Sequence, residues 1–276
     1  MALTTPERGR APVAGSPVPP ERSRTRAAVK ARTYRTDRWW LAPLVQFTGL
    51  MAFIVYGTVA AFRNGHYFVY SYLSPFYSPC LTNKCVDHYT PEFLGGWWHF
   101  SPAFLILIFP LGFRFTCYYY RKAYYRAFWL SPPACAVPDG HKKYTGESRF
   151  PLLIQNIHRY FFYIAALFGV LLTYDLGRSF EIDGHFFIGI GTLVLAINVA
   201  LIWIYTLSCH SCRHIIGGQL KTFSKHPMRY RYWKFVSKLN SRHMLLAWLS
   251  LIWIGVADLY IWLVSNGTIT DYHWIS

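Results

Sequence analysis

Four cysteines and four histidines gather at one end of the long apolar segments of this chain: Cys117, Cys135, His158, Cys209, His210, Cys212, His214 and His243. Thiolate and imidazole are the shared ligand set of zinc and of iron–sulfur centres. Taken singly, each has a plain reading: a buried cysteine packs as a small apolar residue, and a histidine at a membrane edge meets headgroups or a carboxylate. Together at one level, they predict a metal or redox centre. On a continuous helix, Cys209 and Cys212 would share one face, as would His210 and His214.

The residue types leave several centres open. Zinc takes two cysteines and two histidines but is unusual between membrane-spanning helices. Haem b needs paired axial histidines and has no use for thiols. A [2Fe–2S] cluster of the Rieske kind, with cysteines on one iron and histidines on the other, uses both residue types. The C-x-H…C-x-x-H spacing of soluble Rieske domains is absent, although Cys212-Arg213-His214 supplies one C-x-H. One ligand per helix gives Cys117, His158, Cys209 and His243, with Cys135, His210, Cys212 and His214 in reserve.

These groups need a scaffold, and composition defines it. Hydrophobic residues make up 53% of the 276, aromatics 19% and charged residues only 14%, against about a quarter charged in soluble domains. The apolar residues form five blocks of membrane-spanning length: Leu41–Phe62, Ser101–Tyr120, Ile157–Tyr174, Phe186–Leu207 and Met244–Val264. No ten-residue alternation suggests a barrel. The expected fold is all-α, a polytopic bundle of five transmembrane helices. Of 28 Lys and Arg, all but Arg63, Lys84 and Arg178 fall on one side of these spans. By the positive-inside rule that side is cytoplasmic, with the N-terminus inside and the C-terminus outside. The net charge of +16 therefore expresses topology and contact with the lipid bilayer, not nucleic-acid binding.

Residues 1–38, rich in Pro, Arg, Ala and Thr, read as an extended basic cytoplasmic arm without a signal-peptide core; residues 39–276 form the anchor domain. Trp39 and Trp40 mark the first interface, and Trp97 and Trp98 the approach to the second span. Pro110 should kink that span, whose helix is expected to continue past the membrane through CYYYRKAYYRAF. TGES and Pro151 read as the opening of the third. Asn198 suggests an interhelical hydrogen bond. The second paired motif, Cys80 and Cys85, faces the oxidising side and could close a disulfide loop; Cys85-x-x-His88 also permits a metal. His99 and His185 could pair around another cofactor. No internal repeat stands out.

The strings CYYYRKAYYRAFWLSPPACAV, YTGESRFPLLIQNIHRYFFY and SCHSCRHIIGG resemble the single-chain, five-helix membrane anchor of the succinate dehydrogenase/fumarate reductase family, in its actinobacterial type. The resemblance covers roughly residues 39–276. It implies a multi-pass plasma-membrane subunit that docks an iron–sulfur subunit and, through it, an FAD flavoprotein that oxidises succinate. Electrons would pass from the partner's Fe–S clusters through the anchor to membrane quinone, menaquinone or ubiquinone. Many five-helix anchors of the wider family carry two b haems, and His158 or His243 inside, with His99 and His185 outside, could hold them. This branch is similar to anchors proposed to use a Rieske-like [2Fe–2S] centre, which the thiols favour. A quinone site needs an apolar slot with a few polar groups; Tyr118, Tyr119, Arg121, Gln155, Asn156 and Arg159 lie at that depth. The competing expectations are a stand-alone haem quinol oxidoreductase and a transporter without redox work.

Overall fold

A computed structural model describes residues 33–80, 101–140, 152–218 and 220–275. Among the described residues four helices are each long and apolar enough to cross a bilayer; a fifth crossing results if one bent pair counts as a single span. These are α1 (Leu41–Arg63), the pair α2 (Ala103–Thr116) and α3 (Tyr118–Ala127), α4 (His158–Arg178), α5 (Ile190–Leu207) and, as the last span, α8 (His243–Ser265). Two short helices, α6 (His210–Gly217) and α7 (Pro227–Asn240), join α5 to α8. The helix ends follow local chemistry. Asn64 stops α1 in the left-handed conformation, φ 45°. Pro227 occupies the first position of α7, where its missing N–H is harmless.

Two of the expected spans require correction. The second does not continue as one helix: α2 and α3 meet at 77°, because Cys117 is extended (φ −62°, ψ 130°). Pro110 already removes one ladder hydrogen bond from α2, and the Thr116 hydroxyl donates to Gly112 O at 2.7 Å, which favours bending. The fourth span also breaks. α5 ends at Leu207, and Cys209 is extended (φ −63°, ψ 144°) before α6 begins. Cys209 thus lies outside the helix that carries Cys212.

The far end of the bundle, opposite Cys117 and Cys209, contains strands that the sequence reading missed. β1 (Phe68–Val69) and β2 (Tyr72–Leu73) form a hairpin, and β3 (Glu181–Ile182), β4 (His185–Gly189) and β5 (His273–Ile275) an antiparallel sheet in that order. Residues 186–189, expected in the fourth helix, belong to β4. Phe187 and Gly189 are buried while Phe186 and Ile188 are exposed, the period-two pattern of a half-buried strand. Asp271 ties the sheet to the spans: it accepts from Gly191 N–H at 3.1 Å, Tyr72 OH at 2.9 Å and Tyr260 OH at 2.6 Å.

A second clasp at that end centres on Asp258, which is fully buried. It accepts from Tyr56 OH at 2.5 Å, from the Arg63 guanidinium at 3.2 Å and from the Ser74 hydroxyl, so α1, the hairpin and α8 share one ion pair. Asn198, in mid-α5, is also fully buried, but neither side-chain atom has a hydrogen-bond partner; the expected interhelical bond is not made. His185 lies exposed on β4, opposite Ile182. Cys80 is disulfide-bonded. Cys85, His88, Trp97, Trp98, His99, the TGES segment, Pro151 and most of the arm lie outside the described residues.

Candidate functional site

The two helix breaks place two cysteines in one buried cluster. Cys117 and Cys209 are 2% and 1% exposed and share a core with Phe113, Phe162, Tyr205 and Ala247. The first N–H groups of α3, at Tyr119 and Tyr120, face the Cys117 sulfur; those of Ser211 and Cys212 in α6 face that of Cys209. None of these forms a capping hydrogen bond. Both sulfurs thus sit at the positive end of a helix dipole, a setting that favours negative charge.

His158 and His243 open α4 and α8, and each points its Nε2 at a sulfur. His158 Nε2 is 3.0 Å from Cys209 Sγ, and His243 Nε2 is 3.3 Å from Cys117 Sγ. The Nδ1 atoms face hydroxyls: Thr116 Oγ1 at 2.8 Å from His158 and Ser208 Oγ at 2.6 Å from His243. Each hydroxyl already donates its one proton to a backbone carbonyl, Thr116 to Gly112 O and Ser208 to Tyr205 O, both at 2.7 Å. It must therefore accept from Nδ1–H. The neutral imidazoles then carry bare Nε2 lone pairs aimed at the thiols, the tautomer a metal would need.

Side by side, the two halves repeat. Phe113 stacks on His158 (centroids 5.0 Å, 5°) and Tyr205 on His243 (5.2 Å, 12°). The segments are Phe113-Arg-Phe-Thr116-Cys117 and Tyr205-Thr-Leu-Ser208-Cys209: an aromatic, two residues, a hydroxyl, a cysteine. In each, the aromatic and hydroxyl hold one histidine while the cysteine faces the other, so the halves are crossed. The repeat, absent from the sequence reading, is only five residues long, and two of its three defining positions change identity.

Burial keeps unliganded thiols neutral. It pushes the Cys209 thiol up to about 12, with the nearby Cys117 adding to the effect, and it also raises Cys212. A bound cation would be needed to hold such a sulfur as thiolate. The Tyr205 hydroxyl, buried beside the Cys117 sulfur, makes no hydrogen bond of ordinary geometry. Among the described residues no three His, Cys, Asp or Glu side chains converge on one metal-sized point. The four donors form two Cys–His pairs, not a tetrahedron, which argues against mononuclear zinc.

A cavity of about 840 Å³ opens from this cluster. Its walls include Cys117, His158, Cys209 and His243, and also all six polar candidates: Tyr118, Tyr119, Arg121, Gln155, Asn156 and Arg159. Gln155 is buried and its Oε1 has no partner. The Tyr119 hydroxyl accepts from Trp248 Nε1 at 2.8 Å, and Arg121 stacks over Tyr118 at 4.2 Å.

The reserve set divides. His210 and His214 are exposed on the cavity wall, and His214 Nδ1 is engaged by Arg159. Cys212 is buried on α6 away from the cavity lining. Cys135 is exposed in the loop after α3, and its carbonyl accepts from Arg35 at 2.9 Å. Sequence reasoning overlooked Thr116, Ser208, Phe113 and Tyr205. The available signal was the hydroxyl residue immediately before each spanning-helix cysteine.

Fold and site together define a polytopic helical membrane protein with a buried thiol–imidazole cluster and a cavity at one end. The family described as actinobacterial succinate dehydrogenase subunit SdhC matches residues 41–267, and the chain belongs to it. Among solved structures, it is similar to a chain of the Mycobacterium smegmatis Sdh1 complex in the apo form, with 52% identity and a TM-score of 0.81 over 92% of this chain and 97% of that one. A comparison with curated proteins gave no match. The protein is thus a membrane subunit of a succinate dehydrogenase.

Proposed function

We propose that this subunit anchors the soluble succinate-oxidising part of the enzyme and passes its electrons to membrane quinone. In this reading the Cys/His end is cytoplasmic, as the charge bias of the loops supports, and an iron–sulfur subunit docks over it. Cys117, His158, Cys209 and His243 would hold a two-iron iron–sulfur group. The observation that carries this is the crossed pair of halves, with both Nε2 lone pairs and both sulfurs facing inward. Thiols support an iron–sulfur group over haem, and a porphyrin between the imidazoles would have to displace both close N···S contacts. Such a group, when bound, supplies one-electron transfer.

The chain's own residues supply the rest. Thr116 and Ser208 hold the imidazoles in the ligating tautomer, and the dipoles of α3 and α6 favour thiolate. The cavity would receive the quinone ring, with Tyr118, Tyr119, Arg121, Asn156 and Arg159 offering donors to its carbonyls. Gln155 Oε1 would accept from a hydroxyl of the reduced ring.

The test replaces both His158 and His243 by alanine in the purified complex. Quinone reduction should be lost while succinate oxidation by an artificial dye persists; full quinone turnover would sink the ligand assignment. Optical and EPR spectra of the unmodified complex distinguish the chemistries: sharp reduced-haem bands assignable to this subunit would favour the di-haem anchor. Nitrogen couplings in the EPR would report whether the two imidazoles share one iron, as in a Rieske centre.

A further inference from the structure

A cation stands one turn deeper in the bundle than the thiol–imidazole cluster, and among the described residues no carboxylate pairs with it. Arg114 is three residues before Cys117, on the same side of α2. Its guanidinium donates to Tyr120 OH at 2.9 Å, Ser250 Oγ at 3.2 Å and the Ala247 carbonyl at 3.4 Å. It also lies 4.7 Å from the centre of the Tyr205 ring, which in turn stacks on the His243 imidazole. Ala247 and Ser250 lie one and two turns into α8 from His243, and both are fully buried. Among the described residues the ion pairs are Arg35–Asp37 and Arg63–Asp258; Arg114 has none. All of its partners are neutral.

A guanidinium placed inside a membrane protein is costly and calls for a function. Here every contact fixes its position without reducing its charge. The contrast with Arg63 at the far end, neutralised by Asp258, is direct. A held, uncompensated positive charge stabilises whichever state of its neighbour is more negative.

We propose that Arg114 is the built-in counter-charge of the redox centre: a positioning residue that favours the state carrying the extra electron, held between α2, α5 and α8 by neutral partners alone. The proposal rests on the reading of Cys117, His158, Cys209 and His243 as ligands. Each electron entering there adds one negative charge, with no bond broken and no proton required. The electron comes from the docked iron–sulfur subunit in turnover, or from dithionite in a titration. Within about 10 Å, and at an effective dielectric of about 20, a unit charge changes an equilibrium by about tenfold or more.

The experiment is an EPR-monitored redox titration of the whole purified complex, with iron content as the control for loading. In Arg114→Gln, the equilibrium constant for one-electron reduction should fall about tenfold or more, equivalent to about 59 mV per factor of ten. Arg114→Lys, which keeps the charge, should stay within about twofold of the unmodified protein. Ser250→Asp puts a carboxylate beside the guanidinium and should reproduce the fall without touching Arg114, which covers the case where Arg114→Gln does not assemble. A loaded centre whose potential is unchanged in Arg114→Gln or Ser250→Asp overturns the proposal and leaves the ligand reading intact. A lysine variant that falls as far as the glutamine variant overturns the role of charge. An unmodified complex with neither iron nor signal in this subunit removes both readings.

Discussion

At the scale of single residues, the two hydroxyls are the most testable detail. Thr116 and Ser208 each spend their proton on the backbone and accept from a histidine Nδ1–H. Partners of this kind are worth about 10–100-fold in metal affinity in known metal sites. Thr116→Val keeps the shape and removes the acceptor, so the iron proposed for this site should be released at about 10–100-fold lower chelator concentration than in the unmodified complex. Ser208→Ala should behave alike, and Thr116→Ser should restore the unmodified value. Metal analysis after graded chelator treatment measures this; full iron retention in both variants would show that the tautomer is set elsewhere. The four facing residues were legible in the sequence because cysteine and histidine are conspicuous among apolar blocks. Thr116, Ser208 and Arg114 were not, because a threonine or serine near a helix end most often bonds to its own backbone. Their second bond depends on which helix packs opposite.

Among the elements, the breaks at Cys117 and Cys209 and the close approach of α2 to α4 matter most. A side chain at Gly112 would meet the Phe161 ring at 2.3 Å, and Gly112 also supplies the carbonyl that takes the Thr116 proton. Small residues allow such approach between membrane helices. Gly112→Val should therefore push α4 away, carrying His158 with it, while leaving α5 and α8 in contact. The expected result is loss of the centre's spectrum from a subunit that still inserts and still binds its partners, checked by EPR beside co-purification. A normal spectrum in this variant would show that α4 can shift without moving its first residue. The sequence located the five spans because hydropathy reports length and polarity. It misread two ends, where a helix and its continuation share the same composition and only an extended residue separates them. β4 was hidden similarly, since four apolar residues suit a strand as well as a helix.

For the molecule as a whole, the two ends are built differently. The far end is closed by ion-paired and hydrogen-bonded clasps at Asp258 and Asp271, whereas the end with Cys117 and Cys209 keeps a large cavity with polar side chains in its wall. Removing one member of a buried ion pair strands the other at a cost of about 3–5 kcal/mol. Asp258→Ala should thus lower stability in detergent by that order, seen in thermal or denaturant unfolding of the complex, without altering the spectrum of the distant centre. A spectral change instead would mean that the two ends are coupled. Side bias in Lys and Arg gives the sequence an expected orientation, but the clasps were not legible there, because Asp258 and Arg63 are 195 residues apart.

The crossing of the two five-residue halves has one more consequence. Neither half holds a cysteine and histidine that face each other: the imidazole positioned by the first half meets the sulfur of the second, and the reverse. A nascent chain that has inserted only α1 to α4 owns, of these four residues, Cys117 and His158 alone, which do not face each other. If these four residues hold iron as proposed, loading would be a checkpoint on maturation, since the iron-bearing state could arise only after the last helix has docked. The magnetism of the centre would then count finished molecules, not merely active ones.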